Sequence, residues 1–374
     1  MARLTICLAA IIANPRLKPR ATLGQAFRDA CGGHGPLCDL LRRDHRAPTP
    51  EATNRALAHK CCFYREFAAI IAPVVTTQKE HVMDGELLRK LYHELFHHRK
   101  PKSGGRFIYS DATILWIYFV GVVNDRSMRW AHDSRNWPLW ARRLKRPSYS
   151  QLMRRLGQPS IREDIDALNR SVIASLPKST DKTIDGKPMT VGIYSKDPDA
   201  RFGKVSKTMW GRGYKLHAIG NKHGVIEAFI VTGLNAGEST IARSLVRLTD
   251  MRDAILRADS NYDSSPTYAA VAEQGGRLIA PRRKPGTGLS RRKHHPDRLR
   301  AIEELEHSEE MGTRHRRHRV RIEQTFGHLT NLPCGLAPLP NCVRRLHRVE
   351  RWVAAKILLY HLQLAEKYTL VKAA

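Results

Sequence analysis

Three acidic residues stand out in a strongly basic chain: Asp185 in Asp-Gly-Lys-Pro, Asp259 in Arg-Ala-Asp-Ser-Asn-Tyr-Asp, and Glu323 in His-Arg-Val-Arg-Ile-Glu-Gln-Thr-Phe. Convergent carboxylates suit a pair of Mg²⁺ ions, with Mn²⁺ able to substitute, because hard cations take oxygen ligands and a phosphate substrate supplies the remaining positions. The chemistry this predicts is phosphodiester cleavage on DNA. Each acid also has a plain structural use: Asp-Gly is a common turn, Asp259 can cap the helix that follows, and Glu323 can pair with Arg319 along its own helix. Asp197, Asp199 and Asp263 are read as loop or cap residues.

The rest of the composition points to a polyanionic partner. Against 35 Asp and Glu stand 64 Lys and Arg, a formal charge of +29 over 374 residues, well beyond what solubility requires. Six Trp and 42% apolar residues give the chain a core that small basic ribosomal or chromatin proteins lack. Its seven cysteines are odd in number and contain no Cys-x-x-Cys pair, so neither a disulfide framework nor a zinc ribbon is indicated. The adjacent Cys61 and Cys62 are poorly disposed to chelate one zinc. Leu4–Ala13 is apolar but has no small-residue cleavage pattern and is read as a tail. Ile114–Val123 is too short to span a bilayer, which takes about twenty residues.

Those acids need a scaffold, and the pattern supplies one. Residues 1–52 read as a basic, poorly ordered arm. Residues 53–177 read as a helical, DNA-binding region: Leu87, Leu88, Leu91, Leu95 and Phe96 share one helix face, and Ser110-Asp111 starts a buried helix over Ile114–Val123. A helix opened by Pro147-Ser148 and closed at Gly157 carries Arg154 and Arg155, either as the recognition element of a helix-turn-helix or as an ordinary solvated face.

Residues 178–340 read as an α/β domain. Lys182–Pro188 and Met189–Tyr194 are short and extended, Tyr214–Ile219 alternates, and Val225–Val231 follows a turn at Asn221–Gly224. Helix Ser239–Leu248, strand Ala254–Ala258, helix Pro266–Glu273 and strand Arg277–Ala280 complete β-β-β-α-β-α-β, the order of an RNase H-like mixed sheet with flanking helices. This order makes the strands bearing Asp185 and Asp259 neighbours. Residues 281–313 are read as a mobile basic loop, followed by a helix Arg314–Leu329 with Val320, Phe326 and Leu329 on or near one face. A last helix, Val349–Ala365, falls within the C-terminal segment 341–374.

With these residues in place, the chain resembles the DDE transposases of bacterial insertion sequences over roughly Lys182–Leu329. Asp185, Asp259 and Glu323 match the three acids, and Ala-Asp-Ser-Asn-Tyr-Asp-Ser is similar to that family's Ala-Asp-Lys-Gly-Tyr-Asp-Ser. The resemblance implies binding of terminal inverted repeats, hydrolysis that releases a 3′-hydroxyl, and attack by that hydroxyl on target DNA. It further implies a homodimer on DNA, a cytoplasmic, nucleoid-associated location, and a DNA contact for Arg319, four residues before the last acid. The family's tyrosine seven residues before that acid and lysine seven after it are here Arg316 and Thr330, and Asn261 replaces a glycine. Arg316 and Arg321 are further candidate DNA contacts. Trp210 is read either as a base-stacking residue or as a core or edge aromatic. A catalytically inactive, DNA-binding descendant of such an enzyme remains the alternative, and an RNA-binding protein accounts for the charge but not for the acids.

Overall fold

The computed structural model describes residues 77–97, 109–206, 208–285, 287–289, 291, 293–331, 336 and 339–373. The basic arm expected over 1–52 and the Cys61-Cys62 pair lie outside them. Residues 78–374 form one compact unit.

Helix α1 (Thr77–His97) buries Leu87, Leu88, Leu91 and Leu95 along one stripe, as the spacing predicts. Helix α2 (Asp111–Val123) starts where the Ser110 hydroxyl accepts the Thr113 N–H at 3.2 Å. All of Ile114–Val123 is buried, so this helix runs through the core rather than along it. Helix α3 (Met128–His132) follows. Helix α4 (Tyr149–Leu156) is capped by Ser148, whose hydroxyl accepts the Gln151 N–H at 3.3 Å, and α5 (Pro159–Ala174) opens on proline.

One expected DNA contact is corrected here. Arg154 is exposed, but Arg155 is only 3% exposed, and its guanidinium donates to the Tyr109 carbonyl at 3.1 Å and pairs with Asp111. Arg155 therefore ties α4 to the start of α2 and is not on a face that reads DNA. Residue-type patterning marked it as basic surface, whereas Asp111, 44 positions away, draws it inward.

The sheet contains β1 (Asp181–Val191), β2 (Arg201–Lys204), β3 (Trp210–Asn221), β4 (Ile226–Gly233), β5 (Ile255–Arg257) and β6 (Arg277–Ile279). Strand β3 is antiparallel to β1, β2 and β4, with β2 and β4 pairing to its successive halves, whereas β1, β5 and β6 run parallel. Helices α6 (Glu238–Arg247) and α7 (Ser265–Glu273) make the two crossovers. The resulting order β4-β3-β1-β5-β6 is the RNase H-like sheet, with β2 added as a short edge strand.

Two details differ from the sequence reading. Strand β1 runs unbroken through Pro188, because β5 pairs only with Asp181–Thr183 and leaves Pro188 with a ladder partner on one side, where a missing N–H is tolerated. Within the expected basic loop, Pro296–His307 forms helix α8, which buries Ala301 and Ile302.

Strand alternation sorts the two faces. Ile184 and Ile219 pack with α6 and α7, whereas Met189, Leu216 and Ala218 pack with α9 (Glu309–Asn331), α10 (Leu346–Ala373) and the N-terminal helices. On α9 the buried stripe is Ile322, Phe326 and Leu329; Val320, expected there, is 44% exposed. His361 of α10 joins three elements: its Nε2 accepts the Ile226 N–H at 3.0 Å and its Nδ1 donates to the Asn169 amide oxygen at 2.7 Å. Burial holds that imidazole down to about 3, so it is neutral. Asp197 and Asp199 are cap residues, as expected, accepting the Arg345 and Leu346 N–H groups at 3.1 and 2.9 Å at the start of α10.

Arg155→Ala is expected to cost about 2–3 kcal/mol by leaving Asp111 without its buried counter-ion, whereas Arg154→Ala stays within about 0.5 kcal/mol. Chemical denaturation of the two variants side by side checks this, and equal effects would contradict the assignment.

Candidate active site

The register between β1 and β5 fixes the site. The pairs Asp181↔Ile255, Lys182↔Leu256 and Thr183↔Arg257, continued by two residues, bring Asp185 level with Asp259. Asp185 accepts the Gly186 N–H at 2.7 Å through Oδ1. Asp259 caps the 3₁₀ turn Ser260–Tyr262, accepting the Asn261 N–H at 2.9 Å on one oxygen and the Asn261 side-chain amide at 3.0 Å on the other. Asn261 thus serves as a clamp on Asp259. The turn does not require positive φ, so glycine is not needed there.

Helix α9 is docked against these strands by polar contacts. His315 bonds the Ala258 carbonyl at 3.1 Å, immediately before Asp259, and His318 approaches Asp181 at 2.6 Å, which Arg257 also binds at 3.2 Å. One turn further on, Arg319 lies between two of the three acids, 3.8 Å from Asp185 Oδ2 and 3.6 Å from Glu323 Oε1. Its Nε is buried with no hydrogen-bond partner among the described residues. Glu323, with a side chain 58% exposed, is on the outer side of this guanidinium.

Burial pushes the Asp185 carboxyl up to about 6; the Gly186 amide and Arg319 oppose the shift, and Asp259 and Glu238 add to it. Burial, then Glu238, likewise raises Asp259. These hard oxygen donors on adjacent strands carry more buried negative charge than their neighbours neutralise, which suits a divalent cation. The fit covers two of the three expected ligands. Among the described residues no three His, Cys, Asp or Glu side chains form a group able to hold a metal, because Arg319 separates Glu323 from the pair.

Four neighbours escaped the sequence reading. Glu238, the first residue of α6, binds Lys215 of β3 at 2.9 Å. His217 is fully buried and pushed down to about 4, chiefly by burial and then by Lys215. Tyr262 is fully buried, and its hydroxyl has no partner among the described residues. A cavity of about 620 Å³ runs beside the acids, with Gly186, Lys204, Lys215, Glu238, Asp259 and Arg283 in its wall. The available signal was the scarcity of acids: a Glu opening the first crossover helix lies at the same end of the sheet as the residues leaving β5.

Residues 177–362 match the family described as Transposase DDE domain. The chain carries a transposase DDE domain. No curated protein matches the chain. Among solved structures it is similar to a chain of a piggyBac transposase synaptic complex with hairpin DNA, at 13% identity over 76% of this chain and 73% of that one, with a TM-score of 0.38.

Around the DDE domain the expected DNA contacts divide. Arg316 and Arg319 share the flank of α9 that carries Glu323, and Arg316 is exposed, bonded only to Thr313 among the described residues at 2.9 Å. Arg321 is on the opposite flank and lines a pocket with His223 and Tyr360 at the β3–β4 turn. Trp210 is an edge aromatic, 61% exposed and stacked on the equally exposed Phe202 with centroids 6.0 Å apart. Asp263, expected to be a loop or cap residue, is buried and grips Arg298 at 2.6 and 2.8 Å, anchoring α8 beside the Asp259 turn.

Because the folded state holds the Asp185 proton to about pH 6 and the unfolded chain only to about 3.8, unfolding releases it between those values and stability falls across that window as pH rises. With a chelator present, Asp185→Asn is expected to stabilise the protein by about 1–3 kcal/mol at pH 7 and by little below pH 4. Melting curves at the two pH values check this; a pH-independent effect would contradict it.

Proposed function

We propose that this protein is a DNA transposase that binds the terminal inverted repeats of its element, cleaves a phosphodiester at each end in an ion-dependent step and transfers the freed 3′-hydroxyl to target DNA. The observation that carries this reading is the buried approach of Asp185 and Asp259 on adjacent central strands of a chain matching the DDE family. Asp185 and Asp259, joined by Glu323, hold divalent cations, Mg²⁺ or Mn²⁺. When bound, such a pair activates the attacking oxygen and stabilises the leaving one.

The protein's own groups then do the positioning. Lys204, Lys215 and Arg283 line the cavity beside Asp259 and attract the phosphate backbone. Arg319, loosely held at 3.6–3.8 Å by two carboxylates, is poised to exchange them for a phosphate oxygen, which frees both acids. Exposed Arg154 and Arg316 add backbone contacts, and Trp210 with Phe202 offers a stacking platform for an unpaired base. The helices within 53–177 bind the repeat, two copies join the two element ends, and the reaction takes place in the cytoplasm at the nucleoid. No helix among the described residues is long and apolar enough to cross a membrane.

One observation favours a second reading, a DNA-binding protein that has lost catalysis: the three acids do not form a metal-holding group while Arg319 stands between them. A labelled duplex carrying the DNA that flanks the gene separates the two. The first reading expects Mg²⁺- or Mn²⁺-dependent cleavage at the element end, abolished by Asp185→Ala, Asp259→Ala or Glu323→Ala with DNA binding largely kept. Tight binding without cleavage by the wild type on an intact end would establish the second. Affinity is also expected to fall steeply with added salt, and a flat response would refute a large phosphate footprint.

A further inference from the structure

Glu238 enters the site from the sheet face opposite α9. Its Oε1 is 3.2 Å from where a Cβ on Gly186 would stand, so it presses against the backbone of the residue that follows Asp185. Only glycine at 186 leaves that space. Glu238, Gly186 and Asp259 share the wall of the same cavity.

Two fully buried polar atoms without partners among the described residues face this group: His217 Nδ1 and the Tyr262 hydroxyl. The His217 tautomer follows from its neighbours. The Thr232 hydroxyl gives its proton to the Gly233 carbonyl at 3.1 Å, so at 3.0 Å from that oxygen His217 Nε2 must be the donor. Nδ1 is therefore a bare lone pair, 3.7 Å from the same Gly186 position that Glu238 approaches. A buried lone pair facing a carboxylate gains nothing from that neighbour, whereas both gain from a cation or an ion-bound water. The Tyr262 hydroxyl feels Glu238 first, then Asp185 and Asp259.

We infer that Glu238 is a further carboxylate of the ion site, joining Asp185 and Asp259 around a divalent cation, with Lys215 as the counter-charge that the cation displaces. This rests on the ion-dependent reading above and adds a ligand that strand order alone does not disclose. Lys215, 2.9 Å from Glu238 Oε1, competes with the ion for the carboxylate, and removing its charge therefore favours ion binding.

The test is Mn²⁺ titration calorimetry on the full-length, DNA-free protein with four forms: wild type, Asp185→Asn, Glu238→Gln and Lys215→Gln. Glu238→Gln is expected to weaken Mn²⁺ binding by at least about tenfold, and Lys215→Gln to strengthen it severalfold. If the Glu238–Lys215 pair is merely structural, both substitutions act in the same direction, and that result overturns the inference. Should Glu238→Gln fail to fold, Lys215→Gln decides alone: tighter binding supports a ligating Glu238, and equal or weaker binding refutes it. Loss of binding in Asp185→Asn with none in Glu238→Gln removes Glu238 and leaves the ion site standing, whereas no loss in Asp185→Asn removes the ion site itself.

Discussion

The structure depends on one uncomfortable pairing: two buried carboxylates, Asp185 and Asp259, brought level by the ladder between two parallel strands. Burial and mutual repulsion both raise their affinity for protons. The fold answers with Arg319 from one face of the sheet and Lys215, through Glu238, from the other. Each is a mobile cationic side chain at the limit of its reach or already paired elsewhere, an arrangement better suited to exchange than to permanence. Strain retained where a ligand relieves it is expected at a working site.

The surrounding elements serve to hold that pairing in place. Helix α9 is fixed by His315 on the Ala258 carbonyl and by His318 on Asp181, so Arg319 is presented one turn further on at a defined height above β1. On the other side, Asp263 and Arg298 secure the turn that leaves Asp259, and Asn261 clamps its carboxylate. The N-terminal helices reach the same core through α10, where His361 links α5 to β4. Movement of the DNA-binding helices is thereby mechanically coupled to the sheet that carries the acids.

Much of this was legible in the residues themselves. The strand and helix order, the caps at Ser110 and Ser148, and the adjacency of Asp185 and Asp259 all follow from local pattern plus the rule that parallel strands need crossovers. What escaped was set by tertiary partners. Arg155 reads as surface until Asp111 is folded against it, and helix α8 hides in a stretch whose basic composition resembles a loop, although Arg298 has a buried acid waiting. Glu238 is invisible because its nearness to Asp185 arises from the packing of a crossover helix against Gly186. The separation of Glu323 from the pair could not be read from spacing either, since it depends on which way one guanidinium turns.

The central claim is that a divalent cation occupies the space among Asp185, Asp259 and Glu238. Iron(II) with ascorbate, substituted for Mg²⁺, tests it directly, because radicals formed at the bound ion cut the nearest backbone. The account predicts cuts confined to the chain near Asp185, Glu238 and Asp259, suppressed by excess Mg²⁺. Cuts at other places, or none that Mg²⁺ suppresses, would contradict it.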